Sequence, residues 1–123
     1  MTPQEMKQRT RQFALRVIRL SESLPKSRTC DTIARQILRS GCSVGANYRS
    51  ACCSRSAADF ISRMGIVEEE ADETAYWIEL LAEANLVKQK AVDALLKEAY
   101  ALAAIAAASI KTARGGARSK TKA

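Results

Sequence analysis

The chain has 123 residues, of which 47% are hydrophobic and 27% charged, with only 5 glycines and 2 prolines. A disordered chain would be poorer in apolar residues and a turn-rich β-sandwich would need more glycine and proline, so the composition excludes both and fits one helical domain. The 20 Lys and Arg outnumber the 13 Asp and Glu, which gives a formal net charge of +7. Histidine is absent, which removes the most common general base and metal ligand.

The first predicted helix begins with a capping box, in which Thr2 is the N-cap, Pro3 lies in the first turn and Glu5 follows three residues after the cap. Apolar or small residues then recur at steps of three and four until Pro25 ends the helix. This inward stripe consists of Met6, Thr10, Phe13, Val17, Leu20 and Leu24.

The second helix is predicted to begin near Thr29 or Asp31. Its inward stripe consists of Ile33, Ile37, Ser40, Val44, Asn47 and Ala51. Gly41 and Gly45 fall inside this helix, where each costs up to about 1 kcal/mol relative to alanine. Small residues at this density predict a close approach of a neighbouring helix.

Ser56 is a weaker N-cap signal for a third helix, and Asn85 marks the turn before a fourth. The third stripe consists of Phe60, Met64, Val67, Ala71, Thr74, Ile78 and Leu81, and the fourth of Val92, Leu95, Ala99, Leu102 and Ala106. Gly115 and Gly116 are predicted to end the last helix. We therefore predict an all-α, antiparallel up-down-up-down four-helix bundle over residues 1–114 and a basic, disordered tail over residues 115–123.

The N-terminal residues are polar and basic, and the apolar stretch of residues 99–110 is too short to span a bilayer. We therefore expect a cytoplasmic protein without a secretory signal or membrane partner. The four cysteines lack the spacing of a metal site, and Cys52 and Cys53 are adjacent. They are interpreted as structural, and no metal or cofactor is predicted.

Several apolar residues lie beside the inward stripes rather than on them. A wide apolar arc on a small protein is typical of a partner surface, which predicts a homo-oligomer. The alternative is that these residues complete a broad core. The predicted interface consists of Leu15, Ile18, Trp77, Leu96, Ala103 and Ile110.

Charge is strongly segregated along the chain. Residues 1–50 hold ten basic and three acidic side chains, residues 51–110 hold five and ten, and the last thirteen residues hold five basic side chains and no acidic one. A basic face with a basic tail is typical of polyanion binding. The alternatives are an ordinary solvated face, or one that contacts the acidic third helix of a neighbouring subunit. The candidate phosphate contacts are Arg9, Arg16, Arg28, Arg35, Arg39, Arg49, Lys120 and Lys122.

A polar cluster is predicted where the second and third helices face each other. Asn47 occupies an inward position, so it needs hydrogen-bond partners, and Glu70 is placed to reach it. The predicted structural network consists of Ser40, Ser43, Asn47, Glu70 and Glu73, with Arg39 at its edge. The functional alternative is a carboxylate site in which Glu70 and Glu73 act as acid and base or as metal ligands.

The same stretches carry a family resemblance. Residues 39–47 (RSGCSVGAN), 58–61 (ADFI), 70–74 (EADET) and 76–81 (YWIELL) resemble, in order and spacing, the S23-like four-helix-bundle family encoded in intervening sequences of bacterial 23S rRNA genes. The chain departs from that pattern at Cys52 and Cys53, in the Ala-rich fourth helix and in the tail from Gly115.

The resemblance implies an antiparallel four-helix bundle that assembles as a homopentamer and has no established enzymatic activity. The family is similar in fold to accessory proteins of diversity-generating retroelements, which are basic pentamers that engage nucleic acid and a reverse transcriptase. Residues and resemblance together predict a non-enzymatic, oligomeric bundle that binds RNA or DNA through phosphate contacts. The alternative is a protein-interaction scaffold with an acidic protein partner.

Overall fold

The computed structural model of the protein describes the backbone of residues 1–122 and the side chains of residues 1–116. Residues 1–122 contain no strand and form four α-helices, α1 (Pro3–Ser23), α2 (Arg28–Cys52), α3 (Ala57–Glu83) and α4 (Gln89–Lys122). The side chains of Lys120 and Lys122 lie outside the described residues.

Three of the helices begin at a hydroxyl N-cap. The Thr2, Ser27 and Ser56 side chains accept a hydrogen bond from the backbone N–H three residues later, at 3.1, 3.0 and 3.0 Å. The predicted caps at Thr2 and Ser56 are thereby confirmed. The Ser27 cap starts α2 at Arg28, slightly before the predicted start.

The turn between α3 and α4 is closed by the backbone. Asn85 has a φ of 59°, the left-handed conformation that asparagine tolerates better than most residues. Its N–H donates to the Ala82 carbonyl at 3.0 Å, and the Leu86 N–H donates to the Leu81 carbonyl at 2.9 Å. This Schellman arrangement satisfies two carbonyls that the end of α3 would otherwise leave unpaired.

Each helix packs against its neighbours in an antiparallel up-down-up-down bundle, with contacts between α1 and α2, α2 and α3, α3 and α4, and α1 and α4. No contact joins α1 to α3, so these two helices occupy opposite corners. The largest side chains with almost no exposure are Phe13, Ile37, Met64, Ile78, Leu81 and Leu102, all of which belong to the predicted stripes. The predicted fold class is confirmed.

Two features differ from the prediction. Tyr48 rather than Asn47 is buried in α2, because the core-facing stripe rotates slightly as it approaches the C-terminal end of that helix. The helix α4 continues through Gly115 and Gly116 to Lys122 instead of ending at the glycines. Neither glycine has a positive φ, and a glycine weakens a helix without forbidding it.

The two glycines inside α2 bring α1 close, as predicted. A Cβ atom built on Gly41 would lie 2.7 and 2.8 Å from the two Cγ atoms of Val17, and one on Gly45 would lie 3.1 Å from Thr10 Oγ1. Because Val17 and Thr10 are buried in α1, these side chains have no free space into which to retreat. The close packing of α1 on α2 therefore depends on glycine at position 41.

We predict opposite effects for two Gly→Ala substitutions. Gly41→Ala destabilises the protein by about 1–3 kcal/mol, because the added methyl group overlaps Val17. Gly65→Ala stabilises it by about 0.5–1 kcal/mol, because a Cβ there meets no atom within 4 Å and alanine favours the helix. Urea unfolding at equal m-value measures both. Equal effects of the two changes would contradict a close approach at Gly41.

Candidate nucleic-acid interface

Two of the predicted phosphate contacts are bound to carboxylates. The Arg9 guanidinium donates to Glu98 through Nε at 2.7 Å and Nη2 at 2.8 Å, which ties α1 to α4. The hydrogen bond to Glu98 raises the pKa of Arg9. Arg39 donates to Glu70 at 3.0 Å and to Glu73, which ties α2 to α3. Carboxylates of the same molecule therefore offset the charge of both guanidinium groups. The phosphate contacts of Arg9 and Arg39 stay a prediction.

A groove between α1 and α2 brings together three other cations. It has a volume of about 500 Å³ and is lined by Lys7, Arg11 and Arg49, with no carboxylate among its lining residues. Four ion pairs form among residues 1–116, and none of them includes these three side chains. The groove is therefore a concentration of uncompensated positive charge.

The packing of α1 on α2 explains why the groove exists. Its walls and floor are small or polar, and Gly45 lies against Thr10. The side chains that complete the lining are Gln4, Gln8, Thr10, Ala14, Cys42, Gly45 and Ala46. None of these side chains is a large apolar one, and the groove that they line stays open between the two helices.

The sequence analysis identified Arg49 as a candidate contact but counted Lys7 and Arg11 only among the ten basic side chains of residues 1–50. The available signal was their four-residue spacing, which puts both on one face of α1. What the sequence alone does not show is the register of α1 against α2, which brings Arg49 to the same groove.

The remaining predicted cations lie outside this groove. Arg28 and Arg35 are exposed and share the outward face of α2 with Arg49, at intervals of seven or fourteen residues. Arg16 is half-buried and lines a second, smaller groove between α1 and α4 together with Arg19. Within residues 1–116, no ion pair includes Arg16, Arg28 or Arg35.

The predicted polar network divides into separate parts. The buried contact between α2 and α3 joins Thr74 Oγ1 to Ser40 Oγ at 2.8 Å, and the Ser40 hydroxyl also lies 2.9 Å from the Gln36 carbonyl. Asn47 does not contact Glu70; its amide donates to the carbonyl and hydroxyl oxygens of Ser43, both at 2.9 Å, within its own helix. The prediction for Asn47 is wrong because Tyr48 takes the inward position.

The carboxylates of Glu70 and Glu73 accept hydrogen bonds from side chains of α2 and α3. Glu73 accepts from Trp77 Nε1 at 3.0 Å as well as from Arg39. Within the part of the chain whose side chains are described, no cluster of three or more Cys, Asp or Glu residues could hold a metal ion. Over the same residues, no helix is both long and apolar enough to cross a membrane.

The cysteines differ in their accessibility, and none forms a disulfide. Cys42 lies half-buried in the wall of the groove, and burial raises the pKa of its thiol. Cys30 is buried, whereas Cys52 and Cys53 are exposed at the end of α2. Cys42 is therefore a reporter placed inside the groove, with two exposed cysteines outside it.

The predicted oligomer interface is partly in the core. Ile110 is 7% exposed and packs in the core, which corrects its assignment to a partner surface. Leu96, Ala103 and Trp77 are half-buried against the core. Leu15 and Ile18 are exposed as predicted, and the sequence reasoning missed the exposed Ile66 and Tyr76.

The fold and the groove define a small all-α bundle with a basic face formed by its first two helices. The chain belongs to the family described as "23S rRNA-intervening sequence protein", which matches residues 3–108. It is also similar to a solved protein of unknown function from the S23 ribosomal protein family of Bacteroides thetaiotaomicron. The two share 32% identity with a TM-score of 0.83, over 90% of this chain and 99% of that one. A search of curated proteins found no match. The predicted family resemblance is confirmed.

The divided polar network makes a prediction about stability. Thr74→Val destabilises the protein by about 1 kcal/mol, because it removes the buried hydrogen bond to Ser40 while keeping the shape of the side chain. Asn47→Ala changes stability by less than about 0.5 kcal/mol, because its hydrogen bonds stay within α2 and alanine is the better helix former. Urea unfolding checks both. A loss of stability larger than about 0.5 kcal/mol for Asn47→Ala would show that Asn47 takes part in contacts between helices.

Proposed function

We propose that this protein is a non-enzymatic nucleic-acid-binding bundle that contacts phosphates through the α1–α2 groove. The observation that carries the proposal is the set of Lys7, Arg11 and Arg49, which line one groove without a carboxylate. Arginine and lysine are the side chains that most often contact phosphate, and arginine does so through two parallel donors.

The lining of the groove favours recognition of the backbone rather than of the bases. No aromatic side chain is among its lining residues, so it offers no platform on which an unpaired base could stack. Arg35 lies outside the groove, fourteen residues before Arg49 on α2, so the two cations could contact phosphates about 21 Å apart, the length of about six base pairs. The proposed ligand is therefore a nucleic-acid duplex that is bound without strong sequence preference.

We also propose that the protein acts as a homo-oligomer, with five copies as the family resemblance implies. An oligomer repeats the groove, and repeated weak sites on one polyanion bind with higher avidity than one site. The exposed apolar side chains on α1 and α3 support an additional protein surface.

The alternative function is a scaffold whose basic groove binds an acidic protein. The same uncompensated cations support it, since carboxylates and phosphates both pair with arginine. The two functions predict different results when a lysate is treated with nuclease. A partner that remains bound after nuclease treatment of a lysate favours the scaffold, and one that is released favours nucleic acid.

The groove can be tested with two triple variants that remove the same charge. In the groove variant, Lys7, Arg11 and Arg49 become glutamine; in the matched control, Arg9, Arg39 and Arg63 become glutamine, and all three are ion-paired in the structure. We expect the groove variant to bind a 16-base-pair duplex at least about tenfold more weakly at 0.1 M salt. The slope of log K against log salt should fall by about three, one unit for each cation that no longer pairs with a phosphate.

The control variant distinguishes local pairing from net charge. It should keep most of the salt slope, although it unfolds more readily because the ion pairs that tie α1 to α4 and α2 to α3 are removed. Fluorescence anisotropy over a salt series, with RNA and DNA duplexes of the same sequence, measures both variants. Equally weakened binding in the two variants would show that net charge alone attracts the duplex and would contradict the groove.

Cys42 gives a second test that needs no change to the groove. A bound duplex should slow alkylation of Cys42 several-fold and slow Cys52 and Cys53 less, because those two cysteines are exposed beyond the lining of the groove, one helical turn past Arg49. Mass spectrometry of peptides after timed alkylation measures all three sites in one sample. Unchanged reactivity of Cys42 at saturating duplex would contradict occupancy of the groove.

A further inference from the structure

A second groove lies between α3 and α4, on the opposite side of the bundle from the α1–α2 groove. We call it the α3–α4 groove. It has a volume of about 630 Å³. Its apolar lining consists of Ile61, Gly65, Ala103, Ala107 and Ile110. Because three of these five side chains are no larger than a methyl group, the groove stays open between the two helices.

Three carboxylates line the same groove, and we call Glu68, Glu69 and Asp72 the carboxylate rim. Glu69 and Asp72 are exposed, Glu68 is half-buried, and none of them forms an ion pair among residues 1–116. Arg114 is also a lining residue, but it lies toward the N-terminal end of α3 because α3 and α4 are antiparallel. The groove therefore combines an apolar lining with negative charge concentrated toward its Asp72 end.

Two exposed tyrosines extend this surface past Asp72. Tyr76 lies one helical turn after Asp72 on the same face of α3 and is 54% exposed. Tyr100 of α4 is 46% exposed and donates a hydrogen bond to Glu79. That hydrogen bond raises the pKa of Tyr100, and partial burial and the charges of Glu79 and Asp72 add to the increase. Since the faces of tyrosine rings attract lysine and arginine, they add to the attraction that the carboxylates exert on a cation.

Gly65 lines the groove without contributing to the packing of this chain. A Cβ built on Gly65 meets no atom within 4 Å, whereas one built on Gly41 or Gly45 would press against α1. Glycine inside a helix lowers stability relative to alanine, so internal packing gives no reason for it at position 65. It leaves the backbone of α3 open to close approach from outside the molecule.

We propose that the α3–α4 groove binds a basic amphipathic helix of another protein. The lining spans residues 61–72 of α3 and 103–114 of α4, about 17 Å along each helix, which is the length of about three helical turns. A helix of that length buries its apolar face in the groove and places its lysines or arginines against the carboxylate rim. Such binding does not depend on the proposed function, because it uses a separate groove of opposite charge.

A synthetic peptide of about 14 residues serves as the probe. Its leucines recur at steps of three and four on one face and its other positions are lysine, so that it folds as a basic amphipathic helix in the groove. The control peptide has the same composition in an order that forms no apolar face. By fluorescence anisotropy in 0.1 M salt, we expect the wild type to bind the amphipathic peptide at least about tenfold more tightly than the control peptide. Equal affinity for the two peptides, or no binding of either, would overturn the proposal.

Two triple variants that remove the same charge test the carboxylate rim. The rim variant carries Glu68→Gln, Glu69→Gln and Asp72→Asn. The matched control variant changes exposed carboxylates of α1 and α2 and carries Glu5→Gln, Glu22→Gln and Asp31→Asn. We expect the rim variant to bind the amphipathic peptide at least about tenfold more weakly, because three charge pairs are lost, and the control variant to bind within about twofold of the wild type. Equal weakening in both would show attraction by net charge alone and would overturn the proposal.

Gly65→Arg tests the groove while keeping every carboxylate. The introduced guanidinium lies three and four residues before Glu68 and Glu69, so it pairs with them along α3 and fills the space that glycine leaves. The variant should keep the helical circular dichroism of the wild type and unfold at no lower urea concentration, while its affinity for the peptide falls at least about tenfold. An unchanged affinity would contradict binding in this groove.

Methyl NMR spectra locate the peptide on the wild-type protein. The peptide should shift the signals of Ile61, Ala103 and Ala107, which line the groove, and leave those of Leu15 and Ile18 on α1 unchanged. Groove signals that respond to dilution of the protein alone, and not to the peptide, would show that a second copy of the chain covers the groove and would overturn the proposal. Duplex binding is measured on the same samples: a wild type that binds the peptide in this groove but no duplex would end the proposed function and leave this inference standing.

Discussion

The close approach of α1 to α2 determines which side chains of the first two helices share a groove. It requires glycine at position 41, where a side chain would overlap Val17, and a small residue at position 45, which lies against Thr10. This packing sets the register of the two helices, and the register brings Lys7 and Arg11 of α1 to the same groove as Arg49 of α2. Gly41 and Gly45 lower the helix propensity of α2, but they allow the close packing that forms the basic groove.

The basic side chains of the first two helices divide into two groups with different roles. Arg9 and Arg39 join neighbouring helices through Glu98, Glu70 and Glu73, so their charge is neutralised within the bundle. No carboxylate pairs with the groove cations Lys7, Arg11 and Arg49, so their positive charge is not offset within residues 1–116. The net charge of the chain does not tell the paired cations from the unpaired ones. The positions of the carboxylates on α3 and α4 decide which cations are paired. The α1–α2 groove therefore carries positive charge that no carboxylate among its lining residues offsets.

The fold could be predicted from the sequence because each helix carries a regular stripe and recognisable ends, such as the Thr2 cap and the turn at Asn85. The site could be predicted only in part. Arg9 and Arg49 look alike along the chain, and only the packing of α4 on α1 shows that Glu98 reaches Arg9. Asn47 and Tyr48 are neighbours on a helix, and a small rotation of the stripe decides which is buried. Long-range pairing and helix rotation are tertiary properties that spacing does not encode.

We propose that the α1–α2 groove, rather than the whole basic surface, binds the duplex. Photochemical cross-linking of the wild-type protein to a duplex containing photoreactive bases, followed by mass spectrometry of the attached peptides, locates the bound duplex on the protein. We expect cross-links to concentrate in residues 4–14 and 42–49, which contain all the lining residues of the groove. Cross-links concentrated in α3 or α4, or spread evenly over the exposed lysines and arginines, would contradict it.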